Sequence, residues 1–383
     1  MTDDELRRAL VSVPAPGEDE ATDRTWATIH AAFEQREPVS RPARHARPLL
    51  ALAFAAALVA AALTPPGRAI ADDVRDAFVG VKEAQPALFS VRGGGKLLVE
   101  SDAGPWVVDT DGSKRLLAGY RDASWSPFGR YVVAARRDEL AALEPDGTVR
   151  WKLARPNVRF PRWGGSRTDT RIAYLTGGRL HVVAGDGTGD VDAGGLPTAA
   201  RVAPAWRPGS RHVVAYADLR GRVHLYDVAG QVEWRSPPFP RPRLLEWSSD
   251  GARLVLVTDD KVVVFAANNA RPLGIRSVRG VSDIAFAPGT HELAVVRARE
   301  VLILDADRPR GRPQRVFAGS GVFDDVSWSP NRRWVLVGWR NADQWVFVRV
   351  TGARRIEAVS QVSEQFDSAS FPRVAGWCCA PSQ

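Results

Sequence analysis

Residues able to support acid–base, metal or nucleophilic chemistry are few and scattered in this chain of 383 residues. The six histidines are scattered along the chain, and none belongs to a cluster of His and Cys residues with the spacing of a zinc site. No Gly-x-Ser-x-Gly turn for a nucleophilic serine occurs, and no glycine-rich phosphate loop. We therefore expect no catalytic centre, no metal and no cofactor, and we do not expect an enzyme.

The two cysteines, Cys378 and Cys379, are adjacent near the C-terminus. Adjacent cysteines can form a vicinal disulfide in an oxidising compartment, and strained or exposed bridges of this kind are readily reduced. The alternative is a pair of small buried residues at the end of the last strand. The sequence therefore offers a possible redox pair and no zinc site, since a third thiol is absent.

The elements that must position any site follow from a repeat. An aromatic residue closes a short apolar strand and a Pro/Ser/Gly turn comes next, at intervals of 38 to 49 residues. A period near forty residues with strand-rich contents is typical of a β-propeller with one four-stranded blade per repeat. The aromatic positions are Trp125, Trp163, Trp206, Trp247, Phe286, Trp328 and Trp377.

We predict an all-β, seven-bladed propeller over residues 88–383. Three strands of a first blade are expected at 96–100, 106–109 and 114–117. The C-terminal segment 371–378 resembles the strand segment that ends at Trp247, and we expect it to be the innermost strand of that first blade. Such closure joins the ends of the chain and removes exposed sheet edges.

The repeat resembles that of a known family. The segments Trp125-Ser-Pro-Phe-Gly129, Trp247-Ser-Ser-Asp-Gly251 and Trp328-Ser-Pro-Asn331 are similar to the W-S-P-D-G repeat of TolB-type, WD40-like propellers. The Gly-His and Trp-Asp signature of true WD40 repeats is absent. The resemblance implies an extracytoplasmic bacterial binding module, and it says little about the ligand because one fold hosts many functions.

The resemblance also implies where a site would lie. In this family the strand before each aromatic is nearest the central channel, so charged residues there are candidates for a ligand or partner site. The alternative is a solvated channel lining whose charges pair with one another. The candidates are Asp122, Arg162, Glu246, Asp283, Asp325 and Arg373.

The N-terminal 87 residues differ in character from the repeats. We predict that residues 1–47 form a polar tail that is partly helical or disordered, and residues 48–66 contain an uncharged apolar stretch ended by Pro65 and Pro66. Arginines precede this stretch and aspartates follow it in the juxtamembrane helix and linker 67–87, which predicts one transmembrane helix with the N-terminus inside. The alternative is a signal peptide cleaved after Ala71, which would make the protein secreted.

The cytoplasmic tail has one apolar helical face. Trp26, Ile29 and Phe33 follow one another at spacings of three and four residues, which is typical of an amphipathic helix. We expect either a docking segment that folds on a cytoplasmic protein or a disordered tail. Tail, single span and outer domain together resemble membrane-bound anti-sigma factors, although the zinc-binding His and Cys residues found in many of those proteins are missing.

Charge and composition limit the partners. The chain has a net charge of +8, and the propeller region alone has an excess of eleven positive charges. The basic residues are spread over every repeat and do not cluster with stacking aromatics, so we expect no nucleic-acid ligand. The favoured function is a membrane-anchored sensor or binding module for a protein or an anionic envelope component. The alternatives are a propeller hydrolase or lactonase and a structural envelope scaffold.

Overall fold

A computed structural model describes residues 90–379, except residues 167, 194–196, 199–200, 210 and 230. The predicted tail, the apolar stretch 48–66, the linker and the proposed docking face at Trp26, Ile29 and Phe33 lie outside the described residues. Within that described part of the chain, none of the helices has the length and apolar character needed to span a membrane.

The described residues form seven four-stranded antiparallel sheets, which confirms the predicted all-β propeller. Each sheet is one blade, and the first blade takes its innermost strand from the C-terminus. Blade 1 contains β28 (Arg373–Cys378), β1 (Lys96–Ser101), β2 (Gly104–Val108) and β3 (Lys114–Leu116). Blade 2 contains β4 (Asp122–Trp125), β5 (Val132–Arg136), β6 (Glu139–Leu143) and β7 (Val149–Ala154).

The other five blades follow in chain order, each from its innermost to its outermost strand. Blade 3 contains β8 (Arg159–Gly165), β9 (Thr170–Thr176), β10 (Arg179–Ala184) and β11 (Val191–Asp192). Blade 4 contains β12 (Ala205–Trp206), β13 (Val213–Ala217), β14 (Val223–Asp227) and β15 (Gln231–Arg235). Blade 5 contains β16 (Pro242–Trp247), β17 (Arg253–Thr258), β18 (Lys261–Ala266) and β19 (Pro272–Ser277).

Blade 6 contains β20 (Val281–Phe286), β21 (Glu292–Arg297), β22 (Glu300–Asp305) and β23 (Gln314–Ala318). Blade 7 contains β24 (Phe323–Trp328), β25 (Trp334–Trp339), β26 (Gln344–Arg349) and β27 (Ile356–Ser360). Helix is rare in the described residues: a short 3-10 turn covers Arg340–Ala342, and helix α1 covers Val362–Gln365 in the connection from β27 to β28. The sequence pattern did not predict α1.

The hydrophobic core is divided among the gaps between blades. Each of the seven clusters of buried apolar residues combines side chains from two neighbouring blades. The second strand of a blade is covered on both faces, so it is apolar without alternation, as in the Leu254–Val257 run of β17. Branched aliphatic residues suit such strands because they pack well on pleated surfaces.

The ring closes through the two ends of the described chain. Strand β28 pairs antiparallel with β1, with Trp377 opposite Leu97 and Arg373 opposite Glu100. The innermost strands contact one another in the order β28, β4, β8, β12, β16, β20, β24 and back to β28. Closure therefore rests on a strand that is distant in sequence from its partner.

Candidate functional site at the central channel

The seven innermost strands surround the central channel, and hydrogen bonds show that neighbouring ones run in the same direction. Between β4 and β8, Asp122 accepts from the N–H of Phe160, and Ser124 further along β4 accepts from that of Trp163. The bonds between β16 and β20 also follow both strands in the same direction. Arg243 donates to the Val281 carbonyl near the start of both strands, and Glu246 accepts from the N–H of Phe286 near their ends. The strands therefore begin at one end of the channel, here called the entry face.

Bulges orient the channel side chains. The pairing of the innermost strand with its neighbour shifts register in blades 1, 3, 5, 6 and 7. The extra residues at the shifts include Arg243, Ser282 and Asp325, all of which bond the backbone of the next innermost strand. A bulge turns a side chain out of the regular alternation, and here it turns side chains toward the next blade.

The predicted carboxylates bridge neighbouring blades. Glu246 Oε1 accepts the N–H of Phe286 at 2.9 Å, and Asp283 Oδ2 accepts that of Val326 at 3.1 Å. Asp122 Oδ2 accepts the N–H of Phe160 at 2.6 Å. Asp325 bonds β28 in the same way. These four acids therefore use an oxygen to satisfy a backbone donor of the following blade, which would otherwise be unpaired.

Burial raises the pKa of three of these acids. It raises the pKa of Glu246 to about 8, although the N–H of Phe286 opposes the shift and the charge of Asp283 adds to it. It raises the pKa of Asp325 to about 7 and that of Asp283 to about 6. Near neutral pH this part of the channel lining therefore carries less negative charge than its carboxyl groups suggest.

The two predicted arginines lie in different surroundings. Arg162 Nη1 is 3.4 Å from Asp122 Oδ1, so these two residues form an ion pair. This pairing agrees with the alternative in which the charges of the channel lining pair with one another. Arg373 is exposed and has no ion pair among the described residues. Partial desolvation by the surrounding ring lowers its pKa, but the charges of nearby acids, Asp283 and Asp325 foremost, outweigh that effect and raise it. The six candidates thus lie on the innermost strands, and Arg373 interacts electrostatically with the buried acids without forming an ion pair in the described part of the chain.

Two further channel groups were missed by sequence reasoning. Glu100, on β1, has a raised pKa because it is buried and close to Asp122. Its strand precedes no repeated aromatic, so the pattern did not mark it. Ser282 donates to the Phe323 carbonyl at 3.0 Å, a role that its residue type alone does not reveal.

The repeated tryptophans also link blades. Trp206, Trp247 and Trp328 donate their indole N–H to carbonyls of the preceding innermost strand, at 2.8, 3.2 and 3.0 Å. The indole nitrogens of Trp125 and Trp163 are buried without a hydrogen-bond partner. The aromatic of the repeat is therefore first a packing residue, and in three blades it is also a donor to its neighbour.

The two cysteines are joined as a vicinal disulfide at the end of β28. A Cβ added at Gly129 would lie 2.1 Å from Cys379 Sγ and 2.7 Å from Cys378 Sγ, so the sulfurs pack directly on the turn that follows Trp125. A Cβ at Gly95 would meet the Cys378 carbonyl oxygen at 2.4 Å. Both positions therefore need glycine, and the bridge contributes to the packing between blades 1 and 2.

A pocket of about 470 Å³ opens on the entry face at blade 5. Connections at the start of β16, between β17 and β18 and at the start of β20 form its walls. Among the residues described, no group of three or more His, Cys, Asp or Glu side chains could hold a metal ion. The pocket is lined by Phe239, Pro240, Arg241, Thr258, Asp259, Asp260, Lys261 and Arg279.

Comparisons with known proteins support the fold. No protein-family model matches the sequence, and no curated protein matches it either. The β-propeller domain of Myceliophteria thermophila Cps50 (Swd1) is similar over 70% of this chain and 97% of its own, with 16% identity and a TM-score of 0.53. Kluyveromyces lactis Hsv2 is similar over 70% and 94%, with 12% identity and a TM-score of 0.52.

A chain in a crystal structure of the mitotic checkpoint complex is also similar. The match covers 72% of this chain and 84% of that one, with 14% identity and a TM-score of 0.52. At these identities the likeness concerns the fold alone, a WD40-like seven-bladed propeller.

Proposed function

We propose that this protein is a membrane-anchored, extracytoplasmic propeller that binds a protein or an anionic envelope component and has no catalytic role. The observation that carries the proposal is the use of the channel carboxylates. Glu246, Asp283 and Asp325 each hold the backbone of the next blade, and their pKa values are raised by burial and not by a reacting partner. Raised pKa values also occur in structural networks.

A rigid ring of this kind favours recognition by its surface. The innermost strands are linked through side chains and through the indole bonds of Trp206, Trp247 and Trp328, so the connections at each end of the ring are held in fixed positions. Loops on a rigid scaffold are the usual place for binding residues. The similar chain in the mitotic checkpoint complex belongs to an assembly of proteins, which is consistent with a protein ligand here.

The membrane and signalling parts of the proposal rest on the sequence. Arg41, Arg44 and Arg47 precede the apolar stretch, and Asp72 and Asp73 follow it, which favours an outer propeller. The amphipathic segment from Trp26 to Phe33 would then lie inside, where it can contact a cytoplasmic protein in an anti-sigma-like manner.

Protease accessibility tests the topology. The full chain with a C-terminal epitope is produced in bacteria, and spheroplasts are treated with external protease before and after detergent lysis. We expect the protein in carbonate-washed membranes and the epitope removed in intact spheroplasts. An epitope protected until lysis, or a protein released by carbonate, would contradict the anchored extracytoplasmic placement. A shortened mature protein in the medium would favour cleavage after Ala71.

In-cell cross-linking tests the signalling part. A photo-reactive residue at Ile29 of the full chain should cross-link to a cytoplasmic protein, and Trp26→Ala with Phe33→Ala should remove that product while leaving membrane levels unchanged. Substitution of the neighbouring Thr28 is the matched control. Absence of any product at Ile29 would remove the signalling role and leave the propeller as a binding module.

A further inference from the structure

Arginines recur at the entry face of the ring. An arginine lies at the start of an innermost strand, or shortly before it, in six of the seven blades. All six are exposed. Because the innermost strands begin at one end of the channel, the topology brings these guanidinium groups to a single face. They are Arg121, Arg159, Arg201, Arg241, Arg279 and Arg373.

Most of this positive charge is not neutralised. Of the six, only Arg241 has an ion pair in the described part of the chain, with Asp259 at 3.3 Å. Several acids near the same face bond groups other than these arginines. Asp218 bonds His224, Asp138 accepts from the backbone of residue 157, and Asp324 bonds Arg340. The arginines are therefore available for an external anion.

The pocket on this face combines one free cation with an apolar wall. Arg241 is paired with Asp259, and Lys261 lies 3.9 Å from Asp260, so Arg279 supplies the unpaired charge. Phe239 forms part of the lining and is 8% exposed. A carboxylate can accept two parallel hydrogen bonds from a guanidinium, which gives such a site both strength and direction.

Exposed apolar side chains accompany the arginines. Leu219, in the turn between β13 and β14, is 70% exposed, and Val322, just before β24, is 45% exposed. Both lie at the end of the ring where the innermost strands begin. A purely electrostatic contact with a polyanion would leave Leu219 and Val322 exposed to water. A polypeptide ligand could instead cover them with apolar side chains that alternate with its acidic ones.

We propose that the entry face binds an acidic polypeptide segment with interspersed apolar residues, one carboxylate of which enters the pocket against Arg279. The inference rests on the proposed binding function and names the chemistry of its ligand. The arginines along the rim orient the segment, and Leu219 and Val322 cover its apolar residues. An anionic lipid surface and a phosphate polymer are the competing ligands, and the experiment separates them.

Binding of designed peptides tests this inference with the full chain in detergent. The probe is a fluorescent peptide in which Glu and Leu alternate with Gly and Ser, and binding is followed by fluorescence polarisation at low and physiological salt. We expect Arg121→Ala, Arg159→Ala and Arg279→Ala together to weaken binding at least about tenfold. The matched control replaces three exposed arginines without ion pairs on the opposite face, Arg271, Arg310 and Arg312, and should change binding less than about twofold.

Further binding measurements distinguish the classes of ligand. A peptide with Leu replaced by Ser should bind more weakly, and Arg279→Ala alone should reduce the affinity for the Glu peptide more than Arg121→Ala alone. Equal losses in the two triple variants, or no peptide binding, would overturn the proposal. So would tighter, entry-face-dependent binding of phosphatidylglycerol vesicles or polyphosphate. These outcomes leave the topology experiment unaffected, so failure of the inference and failure of the proposed function can be distinguished.

Discussion

Asp325 Oδ2 accepts the backbone N–H of Val374 at 2.7 Å, so a side chain of blade 7 holds the C-terminal strand that closes the ring. The side chain is almost fully buried, with the residue 1% exposed. Its second oxygen has no hydrogen-bond partner and lies where a Cβ added at Gly338 would be 2.0 Å away. An ionised carboxylate in this position is poorly solvated, and burial therefore favours the protonated form.

Replacement of Asp325 by Asn should make the protein less sensitive to pH. Burial raises the pKa of Asp325 from 3.8 to about 7, so folding binds a proton, and the free energy of unfolding falls as pH rises from about 4 to 7. Asn keeps an acceptor for Val374 and stays neutral. We expect Asp325→Asn to raise the unfolding free energy at pH 8 by roughly 1 to 3 kcal/mol and to change it little near pH 4.

Urea unfolding at several pH values measures this effect. Glu292→Gln, on an exposed residue of β21, is the control for loss of one negative charge. A stability difference between wild type and Asp325→Asn that is constant from pH 4 to 8 would show that the carboxyl is ionised throughout. Asp325→Ala should destabilise by about 1 to 3 kcal/mol near pH 4, because the buried N–H of Val374 loses its acceptor, and by less at pH 8, where it also removes the buried charge.

Phenylalanine substitutions should separate the two roles of the repeated tryptophan. Trp328 donates its indole N–H to the Ala285 carbonyl, whereas the indole nitrogen of Trp163 is buried without a partner. Both residues are buried, at 4% and 8% exposure, so the loss of packing is similar. We expect Trp328→Phe to cost about 1 to 2 kcal/mol more than Trp163→Phe in thermal or denaturant unfolding. Equal costs would mean that packing alone accounts for the tryptophan.

Much of the ring could be predicted from the sequence because each repeat has the residue types that a strand followed by a tight turn requires. An apolar strand, an aromatic and a turn occur in every blade, and they predicted seven blades and the pairing of the C-terminal strand with β1. Helix α1 could not be predicted because four residues carry too little periodicity. The TolB-type resemblance and the membrane anchor remain predictions.

The candidate site was less predictable for a physical reason. The sequence marked Asp122, Glu246, Asp283 and Asp325 as channel residues, but it could not show that each accepts a backbone N–H from the next blade. That partner is about forty to fifty residues away in the next blade, and for Asp325 a bulge turns the carboxylate toward it. The arginines of the entry face appeared in the sequence only as a dispersed positive charge, since their common position follows from the ring and not from their spacing.

His291 should stabilise the contact between blades 5 and 6 in its protonated form, and therefore most strongly at acidic pH. Its Nε2 is 2.9 Å from Asp250 and its Nδ1 is 2.9 Å from Asp307, which also pairs with Arg253. The bond to Asp307 raises the pKa of His291, although burial opposes the shift. A raised histidine pKa adds stability below the unfolded pKa of about 6.5, and the gain is lost as pH rises through the folded value.

We expect His291→Gln to lower the unfolding free energy by about 0.5 to 1 kcal/mol near pH 6, a modest value because both aspartates are about half exposed. The loss should shrink by about pH 9. His212→Gln, on a histidine that faces Asp169 at 3.7 Å, is a comparison with a weaker contact. A loss that is independent of pH would show that the neutral ring packs as well as the charged one.

Gly129 and the disulfide should be energetically coupled across the junction of blades 1 and 2. The φ of Gly129 is +64°, which strains any other residue, and an added Cβ would overlap both sulfurs. We expect Gly129→Ala to cost about 2 to 4 kcal/mol in wild type, from backbone strain and overpacking together. In a Cys378→Ala, Cys379→Ala background only the strain remains, so the cost should fall by at least about 1 kcal/mol, measured by a double-mutant cycle.

Gly177→Ala is the control for that cycle, because Gly177 also has a positive φ, of +56°, but a Cβ there would meet nothing within 4 Å. Its cost should be the same in both backgrounds. If Gly129→Ala were equally costly with and without the sulfurs, the disulfide would not pack on this turn. Coupling confined to Gly129 would show that the two cysteine side chains pack on this turn, at the junction where the C-terminal strand closes the ring.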